Sequence, residues 1–474
     1  MLRILPPAAL PALPAALIAT VMLMAPLFVA PVRADDLIRN PPEAGAFFEA
    51  GRLVHGQMVG ESRPGGKSDG QTLQLSGGWV SLSGTYKEDL DLRTSLGANY
   101  WYSLPEQSAA HQRLTHGGAG LGEAYGLYRF TPTLKLQFGL FQHKYNPDSK
   151  HLGEYLFRSG TYPGVIATGG VLTSGGMDLV NTSRFLAQGL RLSYSRWSGK
   201  LTHDLTLYSE RTFEPNYDLS PGYTVAVKPH PAVEIGGGLV LSHFFSVEAR
   251  KTMPGANENA YDKNTGLPLQ GNDLFDTTLT QSGSLGHYTF AGVKVMGRAS
   301  FDPKALIDMP FLGPLDLRLY AEIAVLGWKN YPFFYRKRTE RMPIMIGFNL
   351  PTFKQLEEFA VEFQYYQSPF PQDIDKVRSS GYPIWAIPAD SSGNSVILAK
   401  DYLASKTAKT LMDMEHSIRW AVFAKRSLGQ HIGLYAMAAS DFTRPVHFYG
   451  DPEQIPFTRD ATQWYYVLRL ETSF

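Results

Sequence analysis

The sequence predicts an all-β fold: a single transmembrane antiparallel β-barrel of about sixteen strands, with fourteen as the alternative. Three observations carry this. The stretch 463–474 alternates strictly: Trp464, Tyr466, Leu468, Leu470, Thr472 and Phe474 against Gln463, Tyr465, Val467, Arg469, Glu471 and Ser473. A period of two with one oily and one polar face is a strand between two media. The same alternation recurs along the chain, with short and long links taking turns. Finally, no stretch after residue 34 reaches the roughly 20 apolar residues that a spanning helix needs. A membrane location would then require a closed barrel, which alone satisfies every backbone N–H and C=O in hydrocarbon without helices.

Expected strands run over 48–59, 72–83, 89–102, 122–130, 134–143, 186–196, 200–211, 223–228, 232–246, 287–300, 315–328, 341–350, 356–367, 413–426, 430–441 and 463–474. The strand at 89–102 places Leu90, Leu92, Leu96, Ala98 and Tyr100 on one face and Asp91, Arg93, Ser95 and Asn99 on the other. In 134–143, Leu134, Leu136, Phe138 and Leu140 oppose Lys135 and Gln137. The segments 72–83 and 223–228 are the weakest in pattern; losing one gives fourteen strands after re-pairing. The connector 302–313 has room for one helical turn. The closing strand is expected to pair with 430–441 on one side and 48–59 on the other.

Composition narrows the function classes. The 474 residues include no Cys, 45 Gly, 12% aromatic and 18% charged residues. Thiolate catalysis, disulfides and Cys-based metal sites are thereby excluded, and a near-neutral balance gives no nucleic-acid footprint. Residues 1–34 read as a cleaved secretory signal: Arg3, an apolar stretch 15–29, and Val32-Arg33-Ala34 before Asp35-Asp36. Residues 35–474 would form the barrel, with 42 basic and 43 acidic side chains.

Motifs for chemistry are sparse. Gly66-Lys67-Ser68 lacks the leading Gly of a phosphate loop because Glu61 stands there, and Gly117–Gly122 is read as a flexible loop. The histidines show no HExxH pair. His111 and His116 share one expected outer loop and His143 and His151 flank another, where solvated side chains are expected rather than a metal site. No Gly-x-Ser-x-Gly elbow is present, so neither an enzyme nor a cofactor is expected.

The polar strand faces are more informative. They supply the lumen-lining candidates Asp91, Arg93, Lys135, Arg191, Asp204, Arg318, Glu322, Glu362, Arg419, Arg469 and Glu471. Such a wall either tunes solute choice or braces itself by ion pairs; balanced signs predict no strong ion preference. The segment 145–185 carries Leu152, Tyr155, Leu156, Phe157 and Ile166, which suits a constriction inside the lumen or a cover over its mouth. The segment 329–341 gathers Tyr331, Phe333, Phe334, Tyr335, Arg336, Lys337, Arg338 and Arg341, suited to glycolipid phosphates or to interfacial anchoring. Aromatics near strand ends (Tyr100, Trp101, Tyr102, Tyr145, Trp197, Trp328, Tyr365, Tyr366 and Trp464) suggest girdles at the lipid headgroups.

Together these features resemble the Gram-negative outer-membrane β-barrels, specifically the porin-like class of about sixteen strands. The resemblance covers essentially all of 35–474 and rests on the signal segment, the alternating link lengths and the terminal Phe; no motif fixes a named family. It implies short periplasmic turns, long extracellular loops and both termini periplasmic. It implies passive diffusion of small hydrophilic solutes, contact with outer-membrane lipid, and delivery by barrel-assembly machinery reading Trp464, Tyr466, Leu468, Leu470 and Phe474 as an assembly signal. A non-conducting barrel for surface binding or scaffolding is the alternative, and oligomerisation is left open.

Overall fold

The computed structural model describes residues 37–58, 70, 72–104, 114–161, 164, 166, 172–173, 176–177, 185–210, 217–245, 277–279, 285–287, 292–328, 337–368, 418–440, 456–457 and 461–474. The expected signal segment, 1–34, lies outside them. Sixteen strands close into one antiparallel barrel. In chain order they are β1 (Glu43–His55), β2 (Thr72–Tyr86), β3 (Leu90–Leu104), β4 (Leu114–Arg129), β5 (Leu134–His143), β6 (Phe185–Arg196), β7 (Leu201–Ser209), β8 (Leu219–His230), β9 (Val233–Ser242), β10 (Gly292–Phe301), β11 (Leu319–Val325), β12 (Ile344–Asn349), β13 (Glu358–Tyr365), β14 (Ile418–Leu428), β15 (Ile432–Ser440) and β16 (Trp464–Ser473). Each pairs with its chain neighbours, and β16 pairs with both β15 and β1, which closes the ring. Both weakly patterned segments are strands, so sixteen stands over fourteen.

A further short strand, Leu37–Arg39, pairs with the end of β2 in line with β1. Pro41 and Pro42 separate it from β1; neither has an N–H to continue the ladder. Links at one end span 87–89, 130–133, 197–200, 231–232, 302–318, 350–357 and 429–431. Those at the other span 56–71, 105–113, 144–184, 210–218, 243–291, 326–343, 366–417 and 441–463. The turn at Trp197 and Ser198 has both residues at positive φ (52° and 54°), the twist that a tight hairpin requires. The connector after β10 holds one 3-10 turn, Pro303–Ala305, with the Asp302 carboxylate accepting from the Lys304 N–H at 3.1 Å.

The faces follow the period of two. On β16, Tyr466, Leu468 and Leu470 are exposed while Tyr465, Val467 and Arg469 are buried. Leu82, Leu96, Leu205, Ile235, Leu319, Ile346, Phe363 and Ile418 continue the exposed apolar surface around the wall. An outer face this apolar on a closed sheet belongs in hydrocarbon, so the fold is a transmembrane barrel.

Four expectations need correction. Gly117–Gly122 is not a loop but part of β4. There Gly117 faces Tyr100 in register, and Gly122 is the extra residue of a bulge between Ser95↔Glu123 and Leu96↔Leu121. The strand expected from residue 315 begins at Leu319; residues 314–317 form a turn, with Leu317 at φ 62°. His143 and His151 are buried rather than solvated. Tyr145 and Tyr366 are also buried, inside the barrel and not in a girdle, whereas Tyr100, Trp197, Trp328 and Tyr365 are exposed.

Candidate functional site

The strand face opposite the lipid face carries charge, and the segment after β5 turns into it. From Tyr145 to Thr161 the chain is buried apart from Pro147 and the half-buried Lys150. Burying that much backbone demands partners for its N–H groups, and two wall carboxylates supply them. Glu322 on β11 accepts from the backbone N–H groups of Glu154 (3.1 Å) and Tyr155 (2.9 Å), from the Tyr145 hydroxyl (2.6 Å) and from Asn146 Nδ2 (2.8 Å). Glu362 on β13 accepts from three consecutive N–H groups, of Lys150 (2.5 Å), His151 (2.9 Å) and Leu152 (2.7 Å), and from the Tyr320 hydroxyl (2.9 Å). Carboxylates bound this way make charge-assisted bonds roughly twice as strong as neutral ones.

The local backbone is shaped for that grip. Gly153 has φ +82°, and a Cβ there would meet Met345 Cε at 2.8 Å and Glu322 Oε2 at 3.2 Å. Glu154 follows at φ 59° and its own carboxyl accepts from the N–H of Asn146 at 2.5 Å, which offsets the cost of left-handed backbone. On β12, Gly347 leaves space for the Tyr320 ring to cross to Glu362: a Cβ would stand 2.2 Å from Tyr320 Cε2. Further ties are Lys294 Nζ to the Ser159 carbonyl (2.7 Å), Lys150 to Glu358 (2.7 Å), Tyr155 Oη to Gln364 (2.9 Å) and Tyr366 Oη to the Gly164 carbonyl (2.5 Å).

A single helical turn, α1 (Tyr155–Arg158), fills the middle of this segment. Phe157 stacks on Phe185 at 5.6 Å and meets Tyr208 and Tyr145 edge-on at 5.0 and 5.5 Å. Leu152, Tyr155, Leu156 and Ile166 are fully buried in one apolar cluster with Phe141, Ala187, Tyr208, Met345, Ala360 and Tyr366. Of the two placements open for this segment, the described residues take the one inside the barrel.

The lumen-lining candidates fall into three groups. Near the short-turn end, Arg93 pairs with Glu43 (3.0 Å) and Glu123 (3.6 Å), and Asp91 pairs with Arg129. On β6 and β7, Arg191 pairs with Asp204 at 3.0 Å, with Lys135 on the neighbouring β5. At the β1–β16 seam, Arg469 pairs with Glu49 (2.8 Å) and Glu471 (3.1 Å). Glu322 and Glu362 hold the inward segment, and Arg419 is buried on the same face of β14. Arg318 precedes β11 and binds Asp148 (2.7 Å) and Asp302 (3.4 Å), tying the segment to the connector. Glu154, Tyr320, Lys294 and Glu358 went unmarked in the sequence; for Glu358 the signal was there, four residues before Glu362 on the same face. Of the basic-aromatic segment, 329–336 lies outside the described residues, Arg338 lies over the Trp328 ring at 4.5 Å and Arg341 is buried.

Burial, and after it the charge of Glu322, push the Glu154 carboxyl up to about 8, against the opposing pull of Lys144 and of the Asn146 and Tyr145 N–H groups. A carboxyl kept neutral when docked but titrating near 4.5 when free favours docking fully below pH 4.5. That contribution is lost as pH rises from about 4.5 to about 8. Protease access to 145–161 is therefore expected to rise from pH 5 to 9 in the wild type and to stay flat in Glu154→Gln. Identical profiles for the two would remove Glu154 as the titrating group.

No family model and no curated protein matches the chain. Among solved structures it is similar to a Rhodopseudomonas blastica porin mutant (E1M, K50A, R52A in that protein's own numbering), with 8% identity, 92% of this chain and 99% of that chain covered and a TM-score of 0.41. It is also similar to Pseudomonas putida OprB at high pH, with 10% identity, 92% and 94% covered and a TM-score of 0.42. The assignment rests on the barrel's own pairings: a closed, sixteen-stranded transmembrane barrel with an inward segment.

Proposed function

We propose that this chain is an outer-membrane channel for passive diffusion of small hydrophilic solutes, narrowed by the inward segment. The observation that supports it is a closed barrel with charged side chains on its inner face and a cavity lined by several of them beside that segment. A sixteen-stranded ring encloses more space than wall side chains fill. In this reading residues 1–34 direct export and are cleaved, both ends of the barrel chain are periplasmic, and the long links face outward. The wall charges act chiefly as braces, since most are paired. The test is single-channel conductance of purified protein in a planar bilayer; no conductance, even after removal of 145–185, refutes the channel. The apolar packing of Leu152, Leu156 and Phe157 across the interior favours a second reading, a plugged barrel used for surface binding or scaffolding. Conductance that appears only after that deletion would support this second reading.

The exposed face of β16 fits the assembly-signal reading. Phe474 is 75% exposed, stacks on His431 at 6.1 Å and donates its N–H to the Ala44 carbonyl at 2.8 Å. Those contacts are few, so deleting Phe474 is expected to lower membrane yield severalfold while leaving refolding in detergent near normal. Normal membrane yield would count against the signal.

A further inference from the structure

Between the inward segment and the short-turn end, the wall of β5 to β10 encloses a cavity of about 320 Å³. Four cations line it (Lys135, Lys144, Arg191 and Arg298) against two carboxylates, Asp204 and Glu234. Both carboxylates are already engaged. Asp204 accepts from Arg191 (3.0 Å) and Ser193 (2.5 Å), and Glu234 is held by Arg298 (2.5 Å) and Lys228 (2.9 Å). Lys135 has no hydrogen-bond or ion-pair partner among the described residues, and Arg191 Nε is buried without one. Ser193, opposite Lys135 in register, adds a hydroxyl beside them.

A wall built only to brace itself would match charge for charge. This cavity keeps a surplus of two positive charges and, in the Lys135 ammonium, an unused donor group, although the whole chain is balanced. A neutral sugar would leave that surplus in place. An anion with two negative charges would discharge it, with charge-assisted bonds to an ammonium and a guanidinium.

We propose that this cavity binds small dianionic oxyanions, phosphates or dicarboxylates, as a station on the path through the barrel. The inference rests on the channel reading for its role but not for its chemistry. A cavity of this volume lies at the small end of ligand sites and suits a compact solute.

The test uses the whole purified barrel in detergent, titrated calorimetrically with inorganic phosphate, succinate and glucose. Saturable binding of phosphate or succinate, absent for glucose, is expected, and it should weaken with added salt. Whichever anion saturates identifies the source. Lys135→Gln should weaken that binding about tenfold, the effect of one charged hydrogen bond. Glucose binding equal to the anions', or unchanged affinity in a Lys135→Gln barrel that still shows heat-modifiable migration, overturns the site. In planar bilayers, phosphate should reduce the chloride current of the wild type more than that of Lys135→Gln. Conductance without anion binding sinks the site and leaves the channel; anion binding without conductance does the reverse.

Discussion

Glu362→Ala is expected to free the inward segment and open it to trypsin after Lys150 and Arg158, while the sixteen-strand wall stays closed. The carboxylate is the acceptor for three consecutive backbone N–H groups and the Tyr320 hydroxyl. Its removal orphans four buried donors, at about 1–3 kcal/mol each. The segment escapes that cost by leaving the wall for water. The wall stays paired, because β13 is held to β12 and β14 by backbone groups, and the Tyr320 hydroxyl on β11 meets lumen water once the segment has left. Arg158, buried against the His151 carbonyl at 2.8 Å, becomes a cleavage site once the segment is out. In the channel reading, single-channel conductance rises severalfold in the same variant. Glu362→Gln keeps one acceptor oxygen and should be cleaved more slowly. A tryptic pattern identical to wild type would show that Glu362 does not hold the segment.

How far this arrangement could be read from sequence depends on the distance over which each part is encoded. Lipid-facing and inward-facing sets are local: Leu134–His143 carries its alternation within ten residues, and the observed β5 has those same bounds. Strand pairing was legible because an up-and-down barrel pairs neighbours in the chain, and the alternation of links showed which ends meet. Gly117–Gly122 reads as a loop because so many glycines leave no alternation to see. Here the pairing with β3 and a bulge at Gly122 decide the segment, and strand propensity is mostly such context. The inward grip was illegible for a different reason. Glu322 meets the Glu154 N–H across 168 residues, and Glu362 meets Lys150 across 212. Nothing within either strand says that its carboxylate receives backbone rather than an arginine. The parity of Glu322 and Glu362 put them on the correct wall, and only the three-dimensional course of 145–161 supplied their partners.

The second large effect is expected at the seam where β16 meets β1, the one pair of neighbouring strands that no link joins. Glu49 and Arg469 stand directly opposite in register, 420 residues apart, with their side chains 2.8 Å apart and almost wholly buried. The Arg469 guanidinium also lies over the Phe47 ring at 4.4 Å, with Glu471 at 3.1 Å on its own strand. Removing one partner of a buried pair costs about 3–5 kcal/mol, because the other charge remains desolvated. Glu49→Ala should therefore lower the urea midpoint of the folded barrel in detergent far more than an exposed charge deletion such as Glu357→Ala. Replacing both groups, Glu49→Leu with Arg469→Met, should recover most of the loss, since an apolar pair of similar volume carries no desolvation cost. The kinetics should shift as well. Closure brings together the most distant pair in the barrel and comes late, after local hairpins have formed. Losing the pair should then slow the final appearance of the heat-modifiable form more than the earlier gain of strand signal in circular dichroism. If both phases slow equally, the pair acts throughout folding; if the double replacement is as unstable as Glu49→Ala, packing around Phe47, rather than the ion pair, holds the seam.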